Sequence, residues 1–222
     1  MQLSAAELAL SHPILVDSFA IIDREFEQHY GSYKDLGLTP AQYAVVRRVI
    51  HTTADFSFAR SLKFSPDAIA QGITAIAQGA PIITDVTMVA QGIKTLAAKT
   101  FSSIPIIPAI AHAPTADPGR TRTETGLLRC LEAHPNAIVA IGNAPTALSA
   151  LCDPVLWDSD VKPALVIGAP VGFVGVVAAK EKLANTAIAQ IRVDGRKGGS
   201  TVAAAIVNAL LMLAWESTQA GS

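Results

Sequence analysis

Apolar residues fall at helical spacing in the first third of the chain and bunch into short continuous runs thereafter. Val45, Val46, Val49 and Ile50 follow Thr39-Pro40, an N-cap residue and a first helical position, so the pattern predicts a helix over 40–52. Ser65-Pro66-Asp67 carries the same start signal, and Ile69, Ile73 and Ile76 extend the predicted helix to a stop at Gly79. The doubled Ala-Ile-Ala-Gln-Gly at 68–72 and 75–79 is a local echo; nothing else recurs at that period, so no solenoid is expected. Apolar runs follow at 81–84, 104–107, 137–141, 164–167 and 188–193. They lack period-2 alternation, as strands covered on both faces do. Helical segments are predicted between and after them, over 120–133, 144–152, 173–184 and 199–215. Strand, turn and helix in succession predict an α/β fold, a three-layer α/β/α sandwich with a mainly parallel central sheet of about five strands. No Pro/Gly/Ser-rich linker interrupts the pattern. Residues 1–222 therefore read as one domain with its core over about 12–215.

Composition narrows the function classes. Half of the 222 residues are hydrophobic and 16% are charged, which excludes intrinsic disorder and leaves ample material for a core. The 17 Lys+Arg and 18 Asp+Glu give a net charge of -1, so neither nucleic acid nor an anionic membrane is an expected partner, and an anionic ligand needs a local basic cluster. Thr201 to Trp215 is strongly apolar but carries Asn208 and stops at Glu216, short of the ~18 residues that suggest a bilayer span, and reads as a buried helix. The N-terminal stretch carries Glu7 and no Lys or Arg before Arg24, unlike a secretory signal. Cys130 and Cys152 lack C-x-x-C spacing and read as reduced, packed thiols in a cytoplasm.

In open parallel sheets a ligand sits beyond the carboxyl ends of the strands. Thr84–Thr87, Gly142–Thr146 and Gly168–Gly175 occupy that position. Gly195–Ser200 feeds the last helix, whose free N–H groups favour an anion. The glycines at 168–175 suggest a dinucleotide-dependent oxidoreductase, but their spacing is G-x-x-x-G-x-x-G, not G-x-G-x-x-G. A P-loop, a G-x-S-x-G elbow and an H-E-x-x-H zinc motif are all lacking.

Among the histidines, His12 and His134 precede prolines and read as turn residues, His29 lies in a polar, solvated stretch, and His112 lies in an irregular segment without an evident partner. His51 differs. It closes the 40–52 helix, with Arg47 and Arg48 at i-4 and i-3 and Thr52, Thr53 and Asp55 just beyond. The helix dipole favours its imidazolium by roughly 0.3–1 kcal/mol, while the guanidinium charges oppose it. Two readings stand: an acid catalyst poised near neutrality, or a capping histidine on the last carbonyls.

Several stretches closely resemble the precorrin-8X (cobalt-precorrin-8) methylmutases of cobalamin biosynthesis. They are Ser18-Phe-Ala-Ile-Ile-Asp23, Val46-Arg-Arg-Val-Ile-His-Thr-Thr-Ala-Asp-Phe56, Phe64-Ser-Pro66, Gly79-Ala-Pro-Ile-Ile-Thr-Asp85 and Met88-Val-Ala90, then Ile138-Val-Ala-Ile-Gly-Asn-Ala-Pro-Thr-Ala-Leu148, Pro170-Val-Gly-Phe-Val-Gly175 and Gly195-Arg-Lys-Gly-Gly-Ser200. The resemblance runs from about His12 to Leu211 and is weakest over 95–118.

It implies a cofactor-free isomerase acting on a tetrapyrrole, without a metal site of its own. The enzyme would move a methyl group from C11 to C12 by a [1,5] sigmatropic shift to give hydrogenobyrinate, or cobyrinate when cobalt is bound. The family's proton-donating histidine falls on His51. Arg48 and Arg122 fall on positions near the bound ring, and forked guanidinium groups suit its carboxylates. Arg196, Lys197, Gly198, Gly199 and Ser200 form a possible further carboxylate cradle, or else a solvated turn. Ser18, Asp85, Thr87, Asn143 and Thr146 offer polar contacts, though Asn143 and Thr146 read equally as helix caps. Arg47 reads equally as a solvated helix residue. Val171, Phe173 and Val174 read as core or as a wall against the macrocycle. The resemblance further implies a cytoplasmic homodimer with the pocket near the subunit interface. A non-catalytic tetrapyrrole carrier on the same fold is the alternative.

Overall fold

The computed structural model describes Leu10, residues 12–153 and residues 162–220; Glu7 and its neighbours lie outside the described residues. Helix α1 (Pro13–Tyr30) leads through a 3-10 turn (Tyr33–Leu36) to α2 (Pro40–Thr53), α3 (Phe58–Ser61), β1 (Leu62–Phe64) and α4 (Ala68–Ala77). Then come β2 (Ile82–Thr84), α5 (Thr87–Thr100), β3 (Ile106–Pro108), a second 3-10 turn (Ala109–His112), α6 (Arg122–Ala133), β4 (Ile138–Ile141) and α7 (Pro145–Leu151). The chain ends with β5 (Leu165–Gly168), α8 (Val176–Ala184), β6 (Gln190–Val193) and α9 (Ser200–Ala220).

The six strands form one sheet in the order β1-β6-β5-β4-β2-β3, parallel throughout except for β1, which pairs antiparallel with β6 through Leu62 and Val193. The expected five parallel strands are all present, and β1 is an addition. Period-2 geometry sorts their apolar runs onto two faces. Ile82, Ile138, Ala140, Leu165 and Ile167 face the layer of α1, α2, α4, α5 and α9. Ile83, Val139, Ile141 and Val166 face α6, α7 and α8. This is the three-layer sandwich that the sequence predicts, and every strand of its centre is dry on both sides.

α9 runs through the middle of the larger layer, with Val202, Ile206, Leu210 and Leu211 fully buried. At 21 residues it is longer than the sequence reading of 199–215. Residues 200–219 have the length and apolarity to cross a bilayer, so the length argument against a span fails; the helix is instead mostly covered by its neighbours.

Thr39 caps α2 as predicted, in a capping box with Gln42. The start expected at Ser65-Pro66-Asp67 is shifted: the Ser65 hydroxyl accepts from the Gln190 amide at 2.8 Å, and a left-handed Asp67 precedes α4 without a side-chain cap. His12, expected in a turn, is the N-cap of α1, its Nδ1 accepting from the Ile14 amide at 3.3 Å.

α1 docks on α2 by burying Phe19, Ile22 and Phe26 and by one ion pair. The Arg47 guanidinium, 1% exposed, donates to Asp23 Oδ2 at 3.2 Å, and the Tyr43 hydroxyl donates to Asp23 Oδ1 at 2.6 Å. Arg47 is therefore a core residue, contrary to its solvated reading. Removing Asp23 would take the opposing carboxylate from a buried guanidinium. Asp23→Ala is expected to cost about 3 kcal/mol in urea unfolding, and a loss below about 0.5 kcal/mol would show that this pair does not hold α1 in place.

Candidate active site at the carboxyl edge of the sheet

Strand order places a topological switch between β2 and β4. The β2-to-β3 connection carries α5 on one face, whereas the connections leaving β4 and β5 carry α7 and α8 on the other. Asp85, just past β2, closes that switch. Its Oδ2 accepts from the Asn143 and Ala144 amides at 2.6 and 2.8 Å, and its Oδ1 from the Val86 amide at 2.9 Å. Burial raises its pKa above the carboxylate norm, and those amides oppose the shift. Fully buried and occupied by backbone, Asp85 staples two loops together. The expectation of a polar contact with ligand is corrected here.

The neighbouring loops approach closely. A Cβ on Gly142 would stand 2.7 Å from Ser200 Cα, and one on Gly198 (φ +150°) would stand 2.3 Å from the Ala169 carbonyl oxygen. Only glycine lets the start of α9 seat against the ends of β4 and β5. The Gly199 amide then donates to the Ala169 carbonyl at 2.8 Å and the Gly172 amide to the Arg196 carbonyl at 3.2 Å. Val171, Phe173 and Val174 are exposed on this rim, Phe173 at 86%, so they are not core. The Arg196 guanidinium lies 5.6 Å from the centre of the Phe173 ring.

The same basic loop reaches the end of α2. Lys197 Nζ donates to Asp55 Oδ2 at 2.6 Å and Ser57 Oγ at 2.7 Å, holding the Asp55 pKa below its usual range, chiefly through the Lys197 hydrogen bond. The Lys197 charge thus tethers the loop to the turn four residues past His51.

His51 stands exposed in the last turn of α2. Its ring meets Phe19 edge to face, with centroids 5.6 Å apart. Arg47 lies over the same Phe19 ring at 4.3 Å, and the Arg48 guanidinium stands at 5.8 Å. The last carbonyls of α2 are taken by others: Arg48 O accepts from the Thr52 hydroxyl, Val49 O from the Thr53 hydroxyl, and Ile50 O from the Ala54 amide. His51 is not the cap. Among the described residues its imidazole has no hydrogen-bond partner, which leaves both nitrogens for a ligand. Partial burial, and then the Arg48 charge, hold its pKa below 6.5.

Ser18 precedes Phe19 on α1, its hydroxyl donating to the Ile14 carbonyl at 2.7 Å. Thr87 is exposed at the start of α5, and Asn143 is exposed beside the switch. Neither Asn143 nor Thr146 caps α7, whose N-cap is Ala144 without a side-chain bond; Thr146 Oγ1 instead lies 3.0 Å from Thr121 Oγ1. Arg122 sits farther along the edge, its guanidinium donating to the carbonyls of Ala113 at 3.0 Å and Ile110 at 3.4 Å. Phe19 thus joins His51 and Arg48, and the Lys197 tether to Asp55 and Ser57 brings the loop that carries Arg196 to the turn beyond them, while Thr87 and Thr146 follow β2 and β4 and Arg122 opens α6. A cleft of about 890 Å³ lined by Ser149, Lys162, Lys182 and Ile188 opens at the opposite, amino ends of β5 and β6. Among the described residues no cluster of three or more His, Cys, Asp or Glu stands ready for a metal.

Sequence reasoning did not find the Asp23–Arg47–Phe19 support or buried Lys180, whose Nζ donates to the Gly195 and Lys197 carbonyls. Both cations sit in apolar stripes at i, i+3, i+4, i+7: Tyr43, Val46, Arg47, Ile50 and Val176, Ala179, Lys180, Leu183. That placement was the available signal.

The profile of the precorrin-8X methylmutase family matches residues 13–213. A cobalt-precorrin-8 methylmutase from Synechocystis is 51% identical over 94% of this chain and 98% of its own. A precorrin-8X methylmutase from Pseudomonas aeruginosa is 41% identical over 73% of this chain and 80% of its own. The crystal structure of a precorrin-8X methylmutase from Thermus thermophilus superposes with a TM-score of 0.80 at 37% identity, covering 93% of this chain and 99% of that one.

The charge pattern around His51 gives a direct expectation. In the ligand-free protein its imidazole, followed by NMR, should titrate below 6.5, and Arg48→Met should move the midpoint upward by removing a like charge. A midpoint above 6.5, or no upward movement, would contradict this account of the site.

Proposed function

The chain belongs to the precorrin-8X methylmutase family, and from that premise we propose that it moves a methyl group from C11 to C12 of precorrin-8X, or of cobalt-precorrin-8, with His51 as proton donor. It is a methylmutase of cobalamin biosynthesis. The finer assignment is carried by one observation: an exposed imidazole, edge-on to Phe19 and with both nitrogens open, stands beside the rim where the basic loop is tethered.

In the proposed shift the bond from methyl to C12 forms as the bond to C11 breaks, so electrons balance within the ring and no cofactor is called for. The protein must hold the macrocycle and favour the tautomer that rearranges. Val171, Phe173 and Val174 present apolar surface for the ring, while Arg48 and Arg196 offer guanidinium forks to peripheral carboxylates. His51 protonates or hydrogen-bonds a ring position. Its lowered pKa leaves it mostly neutral at pH 7 before binding, and the substrate's carboxylates would raise that pKa and load the proton on arrival.

General acid catalysis contributes about 10² to 10⁴ in rate. His51→Ala should therefore retain tetrapyrrole binding, read by absorbance titration, yet lose methyl migration by at least that factor. Normal turnover in His51→Ala would overturn the role. Metal-free and cobalt-loaded substrates are to be assayed side by side; a carrier would release both unchanged, and that result would overturn the reaction. For the wild type, kcat/KM should fall as pH rises through the ligand-free His51 pKa, because the acid is the protonated form.

We also propose a homodimer in the cytoplasm. Ile14 and Ile21, exposed seven residues apart on one face of α1, offer apolar contact surface, and Cys130 and Cys152 are unpaired thiols. Sedimentation should find twice the chain mass at micromolar concentration, and a monomer would overturn the dimer.

A further inference from the structure

Lys180 is 2% exposed in α8, a site where an ammonium is costly unless it is fully engaged. Its Nζ donates to the Gly195 carbonyl at 2.8 Å and to the Lys197 carbonyl at 2.7 Å. Those two carbonyls flank Arg196, and the loop they belong to carries the Lys197 tether to Asp55 and Ser57 beyond His51. We propose that Lys180 is a positioning residue that holds the Gly195–Lys197 loop from beneath, aiming Arg196 at a substrate carboxylate and keeping the loop in register with the His51 turn. The inference rests on the reading of this rim as the substrate surface.

The electrostatics favour a role other than stability. Burial pushes the Lys180 pKa down to about 8, with the Asp194 carboxylate opposing, and Asp194 is itself shared with Arg192 at 3.0 Å. Arg196 and Lys197 add further positive charge on the same loop. A lysine whose folded pKa lies below its ordinary 10.5 binds protons less readily in the folded protein, so its contribution to stability rises with pH across that window and is unfavourable at neutrality. An apolar residue of similar length would remove that burden but would leave both carbonyls without the donors that Lys180 Nζ supplies.

Three readouts on folded protein test this. Lys180→Met should raise KM for the tetrapyrrole about tenfold, the scale of one lost charge-assisted contact, with kcat within about twofold. In a double-mutant cycle with Arg196→Met, the KM effects should be non-additive, since both remove the same contact. Trypsin should cut after Arg196 and Lys197 faster in Lys180→Met than in wild type, and Lys180→Arg should restore protection. An unchanged KM, additive effects or unchanged cleavage would overturn the proposal. So would a Lys180→Met chain that does not fold, because that makes the ammonium a structural requirement. Failure of the wild type to convert either tetrapyrrole would instead sink the reaction assignment, and the proteolysis comparison separates the two failures.

Discussion

Arg47 is the charge around which the His51 end of the molecule is organised. Its guanidinium lies in the core between two helices, held by Asp23, while Tyr43 donates to the second oxygen of the same carboxylate. Desolvating that set is unfavourable unless geometry and hydrogen bonds are both satisfied, so α1 and α2 have little freedom to slide or rotate against each other. Burial raises the Tyr43 pKa, and its hydrogen bond to Asp23 raises it further, so it stays a donor across the working pH range. The flat Arg47 cation covers Phe19, and Phe19 presents its ring to His51. One buried ion pair thereby sets the direction of an imidazole that has no hydrogen bond to fix it among the described residues.

The rest of the rim is built on the same plan, with buried polar groups fixing backbone. Asp85 holds the loops after β2 and β4 across the switch point, and Lys180 holds the loop after β6. Gly142 and Gly198 allow these loops to touch at distances that any side chain would prevent. What remains exposed is a mixed apolar, polar and cationic surface of Arg196, Phe173, Val174, Asn143 and Thr87. The net charge of -1 for the whole chain conceals this separation, because Asp23 is engaged with the buried Arg47 and Asp55 with the Lys197 tether.

The central strands were legible because they are apolar on both faces, and α2 because Thr39, Pro40 and Gln42 all agree with its apolar stripe. β1 was not: three residues on an edge, with Lys63 exposed, leave too little pattern to read. α1 was missed although Pro13 and the spacing of Phe19, Ile22 and Phe26 were present, because His-Pro reads as a turn when histidine is not counted among N-caps. α5 was missed as well, its start at Val86 lacking any side-chain cap. Ser65 looked like a cap until a strand 125 residues away claimed its hydroxyl. The resemblance singled out residues along this rim, whereas the contacts each of them makes were not legible. Asp85 and Lys197 look alike as polar candidates, yet tertiary contacts turn one into a staple and the other into a tether.

Under the proposed role of His51 as proton donor, its proton supply follows from linkage. Before binding, the surroundings and Arg48 disfavour the imidazolium, so the acid is scarce when no anion is near. A ligand bearing several carboxylates reverses the local field, and each unit by which it raises the His51 pKa must tighten its own binding to the protonated enzyme tenfold, about 1.4 kcal/mol. Neutral His51 would thus bind the ligand less well than protonated His51 does. In the proposed site Arg48 would serve both sides of this balance, attracting carboxylates and, by its charge, lowering the His51 pKa before they arrive. On that proposal the enzyme becomes a proton donor chiefly when the molecule to be protonated is in place, and the α1–α2 contact through Asp23 and Arg47 keeps the supporting Phe19 ring from shifting away.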